Sequence, residues 1–191
     1  FFNAVATEPP MVMFSSNGKQ AHGTKDSVAN AEATGEFVCN MATWDLRDPM
    51  SQTSRPVPPE VDEFELAGLE TQPSELVKPP RVKASPIHLE CVYHQTLELP
   101  CDIEGGRNAI CLGRVVGVHI RDEFMTDGKV DIARIKPLAR LGYQDYTAMF
   151  PKKINTIVPR VAIFCKQAGL SGFKNNFEHN EICIKQYVEA L

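Results

Sequence analysis

Residues 14–30 read FSSNGKQAHGTKDSVAN, and this stretch decides the fold prediction. An apolar run ends in the hydroxyls of Ser15 and Ser16, and residues typical of turns follow it. Asp26 and Ser27 then stand where a helix would be capped. A helix N-terminus presents unpaired backbone N–H groups and a partial positive charge, which attract anions. The stretch therefore predicts a strand, a loop and a helix that together form an anion pocket.

Two interpretations of this pocket remain open on spacing alone. Lys25 stands just before the helix and Asn30 lies one turn into it, so an ammonium and further donors could complete a phosphate site. The plainer interpretation is that Asp26 and Ser27 are ordinary capping residues and that Lys25 is a surface lysine. The Asp26 carboxylate favours this second interpretation, because it occupies the place that an anion would take.

Outward from this stretch the pattern is mainly β, with short helices. Strands are predicted over residues 10–16, 36–43, 86–100 and 108–122. The helix that begins near Asp26 should end at Gly35. The third strand shifts its alternation near Gln95, which indicates a bulge. The fourth contains Gly113 and Gly117, as in a strand that bends or is closely approached. Such long antiparallel strands favour a β-barrel with short helices.

Three smaller patterns add to this prediction. Asp127 and Gly128 suit a type I′ hairpin. Residues 60–70 carry Val61, Phe64, Leu66 and Leu69 at mixed helical spacing among acidic residues, and predict a short helix with a solvated acidic face. Met11 and Met13, on the first predicted strand, are expected in the core.

Composition excludes several classes of function. The 191 residues carry a net charge of −4, which gives no nucleic-acid footprint, and no apolar run is long enough to span a bilayer. The six cysteines have neither metal-site spacing nor pairing motifs, so free thiols in a reducing cytoplasm are expected and no metal site is predicted. Phe1 and Phe2 resemble the end of a buried strand whose start is missing.

Several ordered segments, rather than a single motif, carry a resemblance to a known family. They are FFNAVATEPPMVMFSS, KDSVANAEATGEFVCNMAT, VDEFELAGL, KPPRV and VVGVHIRDEFMTDGKVD. Over about residues 1–147 the chain resembles the flavin reductase-like family, FMN-binding split barrels related to the reductase partners of two-component monooxygenases. The resemblance implies a domain over residues 1–150 that lacks its first strand region. Residues 151–191 have no counterpart in the family pattern and are expected to form an atypical extension.

The resemblance also implies which residues bind the cofactor. In the family, the paired hydroxyls and the Lys-Asp-Ser/Thr-x-x-Asn segment surround the FMN phosphate, and one strand lies along the isoalloxazine ring. The positions that match the phosphate site are Ser15, Ser16, Lys25, Asp26, Ser27 and Asn30. Asn3 and Ala4 match the strand along the ring.

The activity implied is oxidoreduction by an FMN flavoprotein, a flavin reductase that uses NADH or NADPH and serves a partner monooxygenase. Since the flavin itself accepts the hydride, no acid–base triad is required. His119 is a weak candidate for the nicotinamide site. A cytoplasmic homodimer is expected, with no nucleic acid and no membrane. The alternatives are a non-catalytic FMN-binding module and an inactive truncated product.

Overall fold

The computed structural model of the chain describes residues 1–19, 25–142 and 145–148. Residues 151–191, the predicted extension, lie outside the described residues. The helices and strands follow in chain order: β1 (Phe2–Thr7), β2 (Pro10–Ser16), α1 (Asp26–Thr34), β3 (Glu36–Asn40), α2 (Arg47–Gln52), α3 (Glu63–Ala67), β4 (Thr71–Gln72), β5 (Arg81–Val82), β6 (Ile87–Leu99), β7 (Asn108–Ile120), β8 (Met125–Thr126), β9 (Lys129–Val130), α4 (Ile132–Ile135), β10 (Leu138–Gly142) and β11 (Asp145–Ala148). Short 3₁₀ turns span Trp44–Leu46 and Asp122–Phe124.

The main sheet has five antiparallel strands in the order β1-β2-β7-β6-β3. Three two-stranded ribbons, β4–β5, β8–β9 and β10–β11, complete the strands of the described part. Strands β6 and β7 are 13 residues each and form the longest pairing. The mainly β prediction with short helices is therefore confirmed.

Irregular pairing bends the two long strands. The register between β6 and β7 shifts between Glu90 and Cys91 and again between Tyr93 and Gln95. The second shift confirms the bulge predicted near Gln95. Because each bulge changes which residues face inward, β6 is buried at its start and exposed along its second half.

The core lies on one face of the main sheet. Its fully buried members include Val12, Leu89 and Cys111. The expectation that Met11 and Met13 are core residues was wrong. Both flank the fully buried Val12 on β2 and are only half-buried, because neighbouring strand residues point to opposite faces.

Gly113 is a glycine that packing requires. A Cβ atom at this position would lie 2.3 Å from Cζ and 2.5 Å from Cε1 of Phe37. The Phe37 ring, which is 9% exposed, therefore rests directly on the backbone of β7. It meets the Phe14 ring edge-on, with centroids 5.2 Å apart and planes at 77°. The expected close approach to an interior glycine is thus observed at Gly113.

Local turn and helix signals are mostly confirmed. Helix α1 ends at Gly35, which adopts φ 74°, and the hairpin between β8 and β9 turns through Asp127 at φ 51° and Gly128 at φ 74°. The predicted helix start is off by one residue. Lys25 is the N-cap and makes no side-chain capping bond, so Asp26 lies in the first turn rather than at the cap.

The start of the chain differs from the buried strand that was expected. Phe1 is 72% exposed and Phe2 is 41% exposed, because β1 is an edge strand that, among the described strands, pairs with β2 alone. None of the helices in the described part of the chain combines the length and apolar character that crossing a bilayer requires. The same described residues contain no cluster of metal-ligating side chains.

Candidate functional site

A cavity of about 790 Å³ opens between α1, β3 and the segment that leads into β10. This volume lies within the range typical of ligand and cofactor sites, which is about 300–1,000 Å³. Its apolar walls include Phe2, Phe14, Phe37, Met41, Phe64, Leu89 and Leu138. Its polar lining includes Ser27, Asn30, Thr34, Glu36 and Asn40. Aromatic walls with a few convergent polar groups fit a planar ring system that carries a polar tail.

Helix α1 brings two of the predicted residues to this cavity. Val28 and Ala31 are buried against the sheet, which turns the other side of the helix outward. Ser27 and Asn30, three residues apart on that side, both line the cavity and are exposed to it. Their hydroxyl and amide groups, near the N-terminal end of the helix, are suitable donors for an anionic group.

The paired serines of β2 do not reach the same place. Ser16 is 8% exposed and lies opposite Ala109 on the core side of the sheet, whereas Ser15 lies opposite Ile110. Consecutive strand residues point to opposite faces, so only one of the two hydroxyls can face a given cavity. Neither residue lines the 790 Å³ cavity.

Asn3 and Ala4, the two residues expected along the isoalloxazine ring, alternate between the faces of the sheet in the same way. Asn3 lies opposite Met13 and Ala4 lies opposite Val12, so their side chains face opposite sides of the sheet. Phe2, which was not a candidate, is the residue of β1 that lines the cavity.

The entrance to α1 carries mixed charge. Lys25 is exposed and Asp26 is half-buried, and the carboxylate of Glu63 on α3 lies near both. Burial raises the pKa of Glu63, the negative charge of Asp26 raises it further, and Lys25 opposes both effects. Any phosphate held at this helix end would therefore meet two acidic side chains as well as one ammonium.

Helix α3 was missed as part of the site. Its acidic residues were interpreted as a solvated face, yet Phe64 lines the large cavity and Glu63 lines an adjoining one of about 360 Å³. Ser27 and Asn40 line both cavities, so the two are neighbours. The sequence feature that could have indicated this role of α3 is the apolar Phe64 next to the acidic Glu63.

Residues 73–82, which we name the wall segment, form one side of the large cavity through Pro79 and Pro80. Side chains of the main sheet hold its backbone in place. Glu36 Oε2 accepts a hydrogen bond from the N–H of Lys78 at 2.8 Å, and Asn40 Oδ1 accepts one from the N–H of Val82 at 2.9 Å. Both of these acceptors also line the cavity.

Glu90 provides the third anchor of the wall segment. Its side chain is fully buried and accepts hydrogen bonds from the N–H groups of Glu75 at 2.9 Å and Leu76 at 2.7 Å. Burial alone would raise the pKa of Glu90, but these two bonds and the neighbouring His119 outweigh it and lower the pKa. The carboxylate is therefore ionised at neutral pH.

His119 lies against this anchor rather than in the large cavity. Its Nε2 is 2.7 Å from Glu90 Oε1 and its Nδ1 is 3.6 Å from Glu75 Oε1. The large cavity is on the other side of β6, where Leu89 lines it. The structure thus separates His119 from Ser27 and Asn30.

Cysteine chemistry is not suited to this site. Cys39 lines the cavity. Its hydrogen bond with Cys91, and to a smaller extent its burial, raise the pKa of the Cys39 thiol well above the usual value. Burial raises the pKa of Cys111 to about 11. The four cysteines of the described residues are free thiols. Those with raised pKa values stay protonated at neutral pH and are poor nucleophiles, as expected for core thiols.

Comparison with known proteins agrees with this geometry. The family model of the flavin reductase like domain matches residues 1–141. An uncharacterised protein of Halalkalibacterium halodurans is 34% identical over 148 residues, covering 76% of this chain and 70% of that protein. Nitrilotriacetate monooxygenase component B from Bacillus cereus is similar in structure, with a TM-score of 0.73 and 29% identity, over 81% of this chain and 76% of that one.

Flavoredoxin from Methanosarcina acetivorans has the same fold, with a TM-score of 0.66 at 19% identity, over 85% of this chain and 81% of that one. The expected split-barrel fold is confirmed by these neighbours. The matched domain and the monooxygenase component together support a flavin-binding oxidoreductase. The chain belongs to the flavin reductase-like domain family.

Proposed function

We propose that this protein is an FMN-dependent flavin reductase that oxidises NADH or NADPH. The observation that carries the proposal is the 790 Å³ cavity, in which aromatic walls adjoin Ser27 and Asn30 near the N-terminal end of α1. An isoalloxazine ring requires such an apolar slot, and a ribityl phosphate requires donors at its far end. The residues present fit both requirements.

Each part of the chain has a role in this proposal. The Ser27 hydroxyl and the Asn30 amide, which line the cavity, would hold the phosphate. The first N–H groups of α1 and the exposed Lys25, the N-cap residue outside the lining, would add to them. Phe14 and Phe37 would pack beside the ring. The chemistry that a bound flavin supplies is hydride transfer from the nicotinamide to its ring. The chain binds it, orients it and excludes water from its apolar side.

Ser15, Ser16, Asp26, Asn3 and Ala4 stay predicted FMN contacts. None of these five residues lines the large cavity, so the proposal depends on Ser27 and Asn30 rather than on them. Asp26 would oppose the phosphate unless Lys25 neutralises it.

A homodimer forms part of this proposal. Val92, Leu97, Leu99 and Val116, on β6 and β7, are 39–44% exposed and leave an apolar surface on the main sheet. A second copy would cover this surface. A partner oxygenase and a cytoplasmic location also belong to the proposal, supported by the likeness to a monooxygenase component B and by the free thiols.

One observation favours a second candidate, a non-catalytic FMN-binding module. His119, the residue predicted for the nicotinamide site, packs against Glu90 away from the flavin cavity. A module of this kind would hold flavin without oxidising NADH or NADPH.

Flavin titration of the full chain tests the proposal. We expect FMN to bind more tightly than riboflavin, which lacks the phosphate, and Ser27→Ala or Asn30→Ala to weaken FMN about tenfold each, as expected for lost charge-assisted hydrogen bonds. Ser51→Ala, on the exposed side of α2, is the matched control and should leave binding unchanged. If the unaltered protein and the three variants bind FMN with equal affinity, Ser27 and Asn30 do not form the phosphate site.

The same preparations separate the two candidates. Oxidation of NADH or NADPH with FMN present, followed at the nicotinamide absorbance, supports the reductase. Flavin binding without nicotinamide oxidation supports the module.

A further inference from the structure

We infer that Arg107 is a positioning residue for the phosphate half of the flavin site, because it ties both α1 and the end of β2 to the loop between β6 and β7. This loop spans residues 100–107, and Arg107 is its last residue, directly before β7 begins at Asn108. The inference rests on the proposed function, since it concerns how the chain holds the phosphate of FMN.

The Arg107 guanidinium connects α1 to β6 through two carboxylates. Its Nη2 donates to Glu32 Oε1 at 2.9 Å and its Nη1 donates to Glu32 Oε2 at 3.3 Å, so it holds this residue of α1 at two points. Its Nε donates to Glu98 Oε1 on β6 at 2.9 Å, and its Nη2 donates to the same oxygen. One side chain therefore joins the helix to the strand.

Both partners of this contact with α1 are charged at neutral pH. The hydrogen bonds with Glu98 and Glu32 raise the pKa of the Arg107 guanidinium. The hydrogen bond with Arg107 lowers the pKa of Glu32, although burial opposes this effect. The side chains of Arg107 and Glu32 are 28% and 31% exposed, so water screens their attraction less than that of a fully exposed pair.

The backbone at Arg107 holds the end of β2 as well. The N–H of Arg107 donates to the carbonyl oxygen of Gly18 at 3.1 Å, and the N–H of Gly18 donates to Asn108 Oδ1 at 3.0 Å. The Asn108 amide donates in turn to the carbonyl oxygen of Pro100 at 2.8 Å. Gly18 closely follows Ser16, the last residue of β2. Arg107 thus contacts the chain both where β2 ends and in α1, the next helix.

The place of Glu32 on α1 makes this contact relevant to the flavin cavity. The helix buries Val28 and Ala31, two small side chains that define its rotation about its own axis poorly. At about 3.6 residues per turn, Glu32 lies roughly 140° round the axis from Ser27. It therefore stands away from the side that lines the cavity through Ser27 and Asn30. A contact at Glu32 opposes rotation of the helix and so sets the direction of both donors.

The phosphate is the part of the flavin that depends on this direction. Hydrogen bonds weaken steeply as distance and angle depart from their preferred values, so a small rotation of α1 reduces the hold of Ser27 and Asn30 on an oxyanion. The aromatic walls of Phe14 and Phe37 belong to strands of the main sheet and do not rotate with the helix. Losing Arg107 should weaken FMN and spare riboflavin, whereas a residue that only stabilised the fold would affect both alike.

Affinities of the full chain for FMN and for riboflavin, followed by quenching of flavin fluorescence, test the inference. We expect Arg107→Gln to weaken FMN about three- to tenfold and riboflavin less than about twofold, in the range of a lost hydrogen bond at a charged group. Arg55→Gln is the matched control, because it removes the same charge from an exposed arginine that bonds Gln52. It should leave the ratio of the two affinities unchanged.

Glu32→Gln separates positioning from charge. If charge alone mattered, removing this carboxylate from the helix that holds the phosphate would tighten FMN binding. Because the contact with Arg107 is lost, we expect FMN to bind at least about threefold more weakly and riboflavin to be unaffected. The double variant with Arg107→Gln should bind FMN no more weakly than Arg107→Gln alone, since both changes remove one contact. Tighter FMN binding by Glu32→Gln, or additive losses in the double variant, would overturn the inference.

Failure of this inference and failure of the proposed function give different results. If the unaltered protein prefers FMN to riboflavin and Arg107→Gln keeps the same preference, Arg107 does not position the site and the proposed function stands. If the unaltered protein binds FMN no more tightly than riboflavin, the proposed phosphate site is wrong and the inference falls with it. Amide hydrogen exchange in the flavin-free protein adds a further test. The amides of α1 should exchange faster in Arg107→Gln and those of α2 should not, and unchanged exchange in α1 would refute the inference.

Discussion

Replacing Gly113 by alanine tests whether the contact of the Phe37 ring with the backbone of β7 shapes the flavin cavity. The added Cβ would lie 2.3 Å from Phe37 Cζ, 2.5 Å from Cε1 and 3.2 Å from the carbonyl oxygen of Val92. Contacts below 3.0 Å force a shift, and the two atoms this close belong to the Phe37 ring, which is itself packed edge-on against Phe14 with centroids 5.2 Å apart. The ring must therefore rotate or move toward the cavity that it lines.

The expected cost follows from two opposing effects. Overpacking a core costs about 1–3 kcal/mol, whereas replacing glycine in a strand recovers about 0.5–1 kcal/mol of chain entropy. The free energy of unfolding should then fall by up to about 2.5 kcal/mol, which lowers Tm by up to roughly 10 °C for a chain of this length. Flavin affinity should fall as well, because the displaced Phe37 ring narrows the slot.

Urea and thermal unfolding of Gly113→Ala, Phe37→Leu and the double variant measure this interaction. Leucine is smaller and removes the clash, so the double variant should be at least about 1 kcal/mol more stable than the sum of the single effects predicts. Gly117→Ala is the matched control. Its Cβ would meet the flexible Leu76 Cδ1 at 3.2 Å, Glu90 Cβ at 3.4 Å and Glu90 Oε2 at 3.6 Å, all longer than the Phe37 contacts, so its cost should be smaller. Additive single effects would refute the packing argument.

Two further predictions concern acidic side chains. Glu90→Gln should destabilise the protein by about 1–3 kcal/mol at pH 7, because the Glu75 and Leu76 N–H groups lose a charged acceptor. Folding lowers the pKa of Glu90, so its carboxylate stabilises the folded protein fully above the unfolded pKa of about 4.3. This stabilisation is lost as pH falls through the folded pKa. The free energies of unfolding of the two proteins, measured in urea between pH 7 and pH 3, should therefore converge at low pH. Glu63→Gln should tighten FMN binding about two- to fivefold at pH 7, since it removes a negative charge near the start of α1. Because the pKa of Glu63 is raised, the unaltered protein should approach the affinity of the variant as pH falls toward that pKa, and a difference that persists unchanged at low pH would contradict this cause.

Features determined by neighbouring residues were predictable from the sequence. The end of α1 at Gly35 and the Asp127–Gly128 turn follow from backbone conformations that glycine adopts at little cost. The bulge near Gln95 was visible as a shift in alternation. The opposite orientation of Ser15 and Ser16 was also predictable, since adjacent strand residues cannot share a face.

Features that depend on contacts distant in sequence were not predictable in the same way. Glu90 reaches the backbone of Glu75 and Leu76, and Glu36 reaches that of Lys78, 42 positions away. Nothing in the segment HLEC marks its glutamate as an anchor. The pairing of β3 with β6 places Glu36 and Glu90 on neighbouring strands, from which both reach the wall segment.

The wall segment explains why a buried carboxylate is tolerated beside a cofactor cavity. Residues 73–80 connect the short strands β4 and β5 and belong to no strand themselves. Their backbone N–H groups therefore need hydrogen-bond acceptors outside a β-sheet. Glu90 satisfies two of them, and these bonds, together with His119, offset the cost of burying its charge. Pro79 and Pro80 lack N–H groups and need no such acceptor, which suits them to the apolar side of the cavity. The position of this wall therefore depends on an ionised Glu90, so a change at Glu90 should alter the flavin cavity even though its side chain lies on the other side of β6.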